Sequence, residues 1–490
     1  MHALQYNRAN GHTVGGAATA PTRHPNFEEG MPAMTHGRRS KAIGLLLVGS
    51  VVLLTAACTS SKKSSGGDSS NANAPVTITV GGEPDTTDPV NRANYLADIT
   101  AFEKLHPNIT VTPDTSTADP VARQAKISGG TLENVFPVYF TDPAQLIAHH
   151  QGADISSDMS TIPAFKDLDP NLMKIFQDSN GKTFGVPITN YTLGLVYNRA
   201  LFTQAGLDPN SPPTTWADVA SDAKKIAALG KGIVGYGDYS AAGTGGWHFT
   251  AEIYSLGGSM ATQSNGKWTA SFNSDQGKQV LQQLHDMRWT DNSMGTKQLL
   301  QYADLLTDMG SGKLGMYVGA YDNIPSIVNQ FKTDFTKFGL GAMPGGQGAL
   351  AGGNGFMFNA TDSQAQIKAG LLWLNYEYDD PSRQALADQR AVAAKNAVGL
   401  PQPNLWTGAS AATVAAANTQ YANVPAQNFA PFVTGQGSIP IVLEPPNAQQ
   451  IYAVLDTVMA KVLTDQNANI SQLLSTAETQ VNSILATVAS

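Results

Sequence analysis

Val76-Thr77-Ile78-Thr79-Val80 alternates β-branched apolar and polar side chains, the period-two pattern of a strand, and Gly81-Gly82 ends it. Apolar residues then recur at helical spacing from about Asn94, with Leu96, Ile99, Phe102 and Leu105 on one face. His106-Pro107 stops that helix, because the residue before proline is driven out of the helical region. Asn108-Ile109-Thr110-Val111 returns as a strand. Strand, helix, strand across residues 76–111 is a βαβ unit, and such units build mostly parallel sheets. Residues 135–146 repeat the logic, a strand running into Tyr139-Phe140-Thr141-Asp142-Pro143 and then a helix. Further on, Thr215 caps a helix opened by Trp216, with Asp218 as the capping-box acid. Val219, Ala223, Ile226 and Ala227 form its buried face, and Gly230 ends it. Residues 449–485 read as two amphipathic helices, the first striped by Ile451, Val454, Leu455, Val458 and Val462. No fixed-period repeat runs through the chain.

A different pattern governs the N-terminal part. Residues 43–57 are apolar and uncharged, Arg38, Arg39 and Lys41 precede them, and the small pair Ala56-Ala57 ends them. Basic, apolar and small in that order is the layout of a secretory signal peptide, and the run is shorter than the roughly 20 residues that span a bilayer. Leu54-Thr55-Ala56-Ala57-Cys58 resembles the lipobox of bacterial lipoproteins, with Thr55 where the strict pattern has leucine. The resemblance implies cleavage before Cys58 and a diacylglyceryl group on its thiol. The mature chain is then expected at the extracellular face of the cell membrane, held by lipid. Residues 1–33 lie upstream of this layout, and Met34 opens an ordinary signal sequence, so 1–33 read as a mis-assigned start and 34–57 as the signal peptide. Residues 58–75 read as a Ser/Gly/Asn tether that cannot bury a core.

Loss of residues 1–57 removes five basic and two acidic side chains and takes the formal charge from −8 to −11. An acidic surface argues against nucleic acid or anionic lipid as a partner. The roughly 430 residues that remain exceed one hydrophobic core, so two domains are expected. With Cys58 the chain's single cysteine, disulfides, thiol catalysis and cysteine metal sites are excluded downstream. Enzymatic signals are weak. His149-His150 lacks carboxylates at metal spacing, and residues 339–344 break the dinucleotide glycine pattern at Pro344. Asp379-Asp380 are neighbours in sequence rather than a pair across a cleft. No cofactor and no catalytic residue is expected.

Ala101-Phe102-Glu103-Lys104-Leu105-His106-Pro107-Asn108-Ile109-Thr110-Val111 resembles a segment of the extracellular solute-binding proteins of ABC importers, the sugar binders similar to maltose-binding protein. Gly181-Lys182-Thr183-Phe184-Gly185-Val186-Pro187, then Leu195-Val196-Tyr197-Asn198, Ala205-Gly206-Leu207-Asp208 and Pro213-Thr214-Thr215-Trp216, follow that family in order and spacing. So do Gly312-Lys313-Leu314-Gly315-Met316 and the glycine-rich run 345–358. Two places depart from it, Glu133-Asn134-Val135 and Ala320-Tyr321, the latter where the family has a cleft tryptophan. The resemblance implies a two-lobed α/β fold of the type II periplasmic-binding-protein kind, with about three crossings between lobes near 193–195, 349–353 and 399–402. Lobe I is expected from 76–194 with 350–400, and lobe II from 195–349 with 401–490. The glycine-rich crossing suits a hinge, since glycine absorbs backbone rotation at little steric cost.

The function so implied is a monomeric, lipid-anchored binder that captures a sugar or oligosaccharide between its lobes and hands it to ABC permease subunits. Sugars offer hydroxyls and flat apolar faces, so their sites need planar aromatics with carboxylates or amides. Cleft-facing candidates are Glu83 and Asp85 after the first strand, Tyr139 and Asp142 after the third, and Asn190 and Tyr191 at the first crossing. Trp247 and His248, Tyr321 and Asp322, and Asn354 complete the set. Trp216 and Trp373 sit at core spacing inside helices. The rival readings are a ligand-presenting sensor lipoprotein, a binder of a non-sugar solute, and a secreted carbohydrate-active enzyme.

Overall fold

In the computed structural model, which describes residues 74–241 and 243–488, the opening strand β1 (Val76–Val80) buries Ile78 and Val80 as its alternation predicts. β2 (Ile109–Pro113), β3 (Val135–Tyr139) and β4 (Gly185–Thr192) follow, and Leu193 alone separates β4 from β5 (Gly194–Asn198). Then come β6 (Val234–Tyr236), the hairpin β7 (Ala261–Ser264) and β8 (Lys267–Ala270), β9 (Leu314–Gly319), β10 (Phe338–Gly341), β11 (Ala349–Phe358) and β12 (Ile441–Leu443). The first sheet runs β12-β11-β3-β1-β2 with β4 on the other edge of β11, and the second runs β10-β5-β9-β6. β1 is parallel to both β2 and β3, as the βαβ reading requires.

The helix between β1 and β2 begins earlier than the apolar spacing indicates, at Pro89–Leu105. Pro89 occupies the first turn, where its missing N–H costs no hydrogen bond, and the Asp88 carboxylate accepts from the Asn91 N–H. Its inward face is also rotated from the expected one. Tyr95, Asp98, Ile99 and Phe102 are buried, whereas Leu96 and Leu105 are exposed. Asp98 is tolerated there because Arg383 (2.9 Å) and Arg390 (2.5 Å) both pair with it. The capping box at Thr215 and Asp218 forms, with Asp218 N–H to Thr215 Oγ1 at 3.2 Å.

Each sheet has its own core. Ile78, Phe102, Val135, Phe356 and Trp373 pack on the first sheet, and Leu195, Tyr197, Trp216, Ile226, Phe249 and Ile253 on the second. Beyond residue 400 the chain serves both cores in turn. Leu405, Trp406 and Val414 join the first, Phe432 packs beside the second sheet, β12 returns to the first, and the helices Ala448–Thr464 and Ile470–Leu485 close the second. Grouping 401–490 with the second lobe alone misses this weaving.

Candidate functional site

The register of β11 decides what meets at its centre. Ala351 pairs with Thr192 of β4 on one edge and with Leu443 of β12 on the other. β3 is antiparallel to β11 and ends at Tyr139 opposite Asn354, while β12 is parallel and ends at Leu443 opposite Ala351. The carboxyl ends of β3 and β12 therefore point at each other over Gly352 and Gly353, and the Phe140 N–H donates to the Gly353 carbonyl at 3.0 Å. Ligands of open α/β sheets bind outside such strand ends. Tyr191, opposite Gly352, and Tyr139, opposite Asn354, share one face of the sheet with Asn354, and Glu444 lies one residue beyond β12. Asn190 alternates to the other face, where its amide donates to the Asn404 carbonyl at 3.3 Å. The strand period thus separates two neighbours that the sequence grouped together.

Gly352 and Gly353 are strand residues without positive φ. They are small so that rings can lie on the strand. A Cβ on Gly352 would strike the Tyr191 hydroxyl, and one on Gly353 would strike the Phe140 ring and the Thr189 carbonyl.

The second sheet contributes the aromatic side. β9 ends at Gly319, paired with Gly194 at the start of β5, so Tyr321 and Asp322 follow at the crossing. β6 is parallel to β9 and delivers Tyr239 three residues past its end. Trp247 lies in the first turn of the helix Gly245–Ser255, not in the glycine loop before it. Its ring stacks on Tyr239 (5.9 Å, 27°) and meets the edge of Tyr191 (6.4 Å, 66°), while Tyr302 stands edge-on to Tyr239 (6.1 Å, 75°). Tyr191, Trp247 and Tyr302 are each only partly buried. The four rings form a continuous band from the crossing strand into the second lobe.

Several candidates fall elsewhere. His248 is wholly buried beneath Trp247, its Nδ1 paired with the Asp238 carboxylate, so it is closed to a ligand. Glu83 is buried against Arg92 at 2.6 Å. Asp85 is exposed and accepts the Thr87 N–H at 2.8 Å, a turn residue. Tyr321 packs in the core beside Ile324 and Tyr317, in the same buried cluster as Tyr239. Asp142 reaches the right place but is committed to Arg123 (3.0 Å) and the Tyr139 N–H (2.8 Å).

Glu444, Tyr239 and Tyr302 are absent from the candidates that sequence reasoning supplies. No motif surrounds Glu444, and the only cue is an acid after the short apolar run Ile441-Val442-Leu443. Burial pushes Glu444 up to about 7, against a hydrogen bond from the Tyr452 hydroxyl at 2.9 Å that favours the ionised form. Burial likewise lifts Asp322 to about 6, opposed by the Asn323 amide at 2.9 Å. The Tyr191 hydroxyl is raised chiefly by burial, then by the charges of Glu444 and Asp322, so both carboxylates act on one phenol. Tyr139 is pushed up to about 12 by burial and by Asp142. Among the described residues no group of three or more His, Cys, Asp or Glu stands in metal-binding geometry.

The model of the bacterial extracellular solute-binding proteins matches residues 87–384. The chain belongs to that family. A binding protein of Brucella abortus (strain 2308) is 28% identical over 199 residues, which are 38% of this chain and 42% of that relative. The sn-glycerol-3-phosphate-binding periplasmic protein UgpB of Yersinia pestis bv. Antiqua (strain Antiqua) is 30% identical over 183 residues, 36% of this chain and 39% of UgpB. The alignments thus span about two fifths of these solute-binding proteins' length. A solute-binding protein of an ABC transporter from Thermotoga lettingae, solved with alpha-D-tagatose, has the same fold. It superposes with a TM-score of 0.65 at 19% identity, over 84% of this chain and all of that one. The two-lobed α/β fold of these solute-binding proteins is therefore the fold of this chain.

Proposed function

We propose that this chain captures a sugar or oligosaccharide between its two lobes and delivers it to the permease of an ABC importer, with no chemistry of its own. The observation that carries this reading is the band Tyr191–Trp247–Tyr239–Tyr302, faced by Tyr139, Asn354 and Glu444 at the strand ends of the first lobe. Rings of that extent suit the C–H faces of pyranoses, and the acids and amide suit their hydroxyls. Among the described residues the Asn354 Oδ1 is buried without a partner, a position that a sugar hydroxyl would satisfy. Lipid attachment through Cys58, a tether over 58–75, action as a monomer and residence at the outer face of the membrane belong to the same proposal. Cys58 lies outside the described residues, and among those described no helix is long and apolar enough to cross a membrane.

A thermal-shift screen of the chain from residue 59 onward tests this. Maltose, maltotriose, D-tagatose and D-mannitol are set beside spermidine, inorganic phosphate and sn-glycerol 3-phosphate. A bound saccharide at a hundredfold excess over its Kd adds about 2.7 kcal/mol to the folded state, a clear rise in Tm. A shift with the amine or an anion and none with any saccharide rejects the sugar assignment.

The close approach at the crossing makes a second prediction. In Gly352→Ala the new methyl displaces the far end of a side chain, the Tyr191 hydroxyl, and no backbone atom. The protein is expected to fold and melt nearly as before while its saccharide affinity falls by roughly tenfold, about 1.4 kcal/mol, as read by titration calorimetry.

A further inference from the structure

The charge of the cleft separates two solute classes that the relatives of this family leave open, saccharides and phosphate esters. Glu444 stands at the junction of β12 with the β3 end. The Tyr452 hydroxyl donates to its Oε1 at 2.9 Å, and the Tyr254 hydroxyl donates to the Leu443 carbonyl at 3.2 Å, so two tyrosines clamp the strand end that carries it. Tyr452 is the hydrogen-bond partner of this carboxylate among the described residues, and the charge that acts on it is that of another acid, Asp142. Two arginines of the first lobe are committed to acids: Arg123 holds Asp142 and Arg92 holds Glu83. Asp322 brings a further carboxylate to Tyr191 from the second lobe.

A phosphate site needs the opposite furnishing, arginine, lysine or the free N–H groups of a helix N-terminus. The helix N-terminus at this site, beside Trp247, is already occupied. The Asp456 carboxylate accepts from the Gly243 N–H at 3.1 Å and the Gly245 N–H at 2.6 Å. That carboxylate takes two N–H groups and sets a negative charge at the end of the helix, which opposes a second anion there.

We propose that Glu444 is a ligand-contacting carboxylate that sets the charge class of the solute, accepting hydroxyls of an uncharged saccharide and excluding phosphate esters. The proposal rests on the saccharide reading above and sharpens it. Ionised Glu444 accepts sugar hydroxyls more strongly than its acid form does, so saccharide affinity rises between about pH 6 and about pH 8. Tyr452, Tyr254, Tyr139, Tyr191 and Asp142 are the titratable groups that face it. All but Asp142 are tyrosines that stay neutral in this window; burial raises Asp142 against the opposing charge of Arg123, so the slope that Glu444→Gln removes is the part that belongs to Glu444. Asp322, at about 6, contributes at the lower end only.

The test is titration calorimetry of wild type and Glu444→Gln with maltose, D-tagatose and D-glucose, beside sn-glycerol 3-phosphate and D-glucose 6-phosphate. Melting of the unliganded proteins confirms that the isosteric variant is folded. Wild type is expected to bind a saccharide with the stated pH slope and to bind neither phosphate ester. Glu444→Gln is expected to weaken the saccharide by roughly tenfold or more, to flatten the slope, and to narrow the discrimination against phosphate. A saccharide affinity, pH slope and phosphate discrimination all unchanged in Glu444→Gln overturn the assignment of Glu444 and leave the saccharide reading standing. Binding of a phosphate ester by wild type as tight as any saccharide overturns the exclusion. Silence of every saccharide overturns both readings together.

Discussion

Trp373→Ala is expected to destabilise the protein by about 3–5 kcal/mol, the cost of deleting a large aromatic from a closed core. Trp373 lies in the helix Gln364–Leu374 and is completely shielded from solvent. Tyr95 (5.5 Å, 88°) and Phe102 (5.3 Å, 77°) meet it edge-on, and Tyr376 lies nearly parallel at 6.2 Å. Tyr95 and Phe102 share the helix Pro89–Leu105, and Tyr376 follows directly on the helix of Trp373, so the ring joins two packed elements. The Arg383 guanidinium lies 3.8 Å over the Tyr376 ring and also pairs with Asp98, so the cavity would loosen a buried ion pair too. Urea unfolding followed by far-ultraviolet circular dichroism measures the effect, and Trp373→Phe should restore part of it. A loss below about 1 kcal/mol would remove Trp373 from the core.

Trp247→Ala should do the reverse. Trp247 is only partly buried and its neighbours are the other rings of the band. Truncating a central aromatic anchor commonly costs 2 kcal/mol or more of binding energy, so saccharide affinity is expected to fall by roughly a hundredfold. Unliganded stability should change far less than in Trp373→Ala. Titration calorimetry with whichever saccharide raises the Tm reads the first quantity and urea unfolding the second. An unchanged affinity would mean that the band is packing and that the solute lies elsewhere.

The contrast between these tryptophans was legible in the sequence. Trp373 sits in an apolar helical stripe and Trp247 among glycines, although those glycines prove to introduce a helix rather than to form a loop. The alternation in β1, the stop at His106-Pro107 and the cap at Thr215 are local signals, and local signals survive folding. What failed was non-local. The inward face of the first helix turned toward Tyr95 because Arg383 and Arg390, far along the chain, pair with Asp98. His248 looks like a ligand contact until Asp238 claims it in the interior. Glu444 carries no motif at all, and only the pairing of Leu443 with Ala351 brings it beside Tyr191. The pair Gly352-Gly353 reads as flexibility in one dimension and as clearance for rings in three.

The place of β11 in the first sheet has a consequence for the order of assembly. β3 and β4 do not pair with each other; β4 joins the first sheet only through β11, which begins at residue 349, and β12 adds its three residues only at 441–443. Contacts of such long sequence separation must overcome loop-closure entropy before they contribute, which slows folding. A chain emerging from its N-terminus therefore presents β1, β2 and β3 long before β11, the strand on the open edge of β3, exists. The first sheet gains its last strand at 441–443 and the second core its last helices at 448–485, so neither lobe is complete until the end of the chain is made.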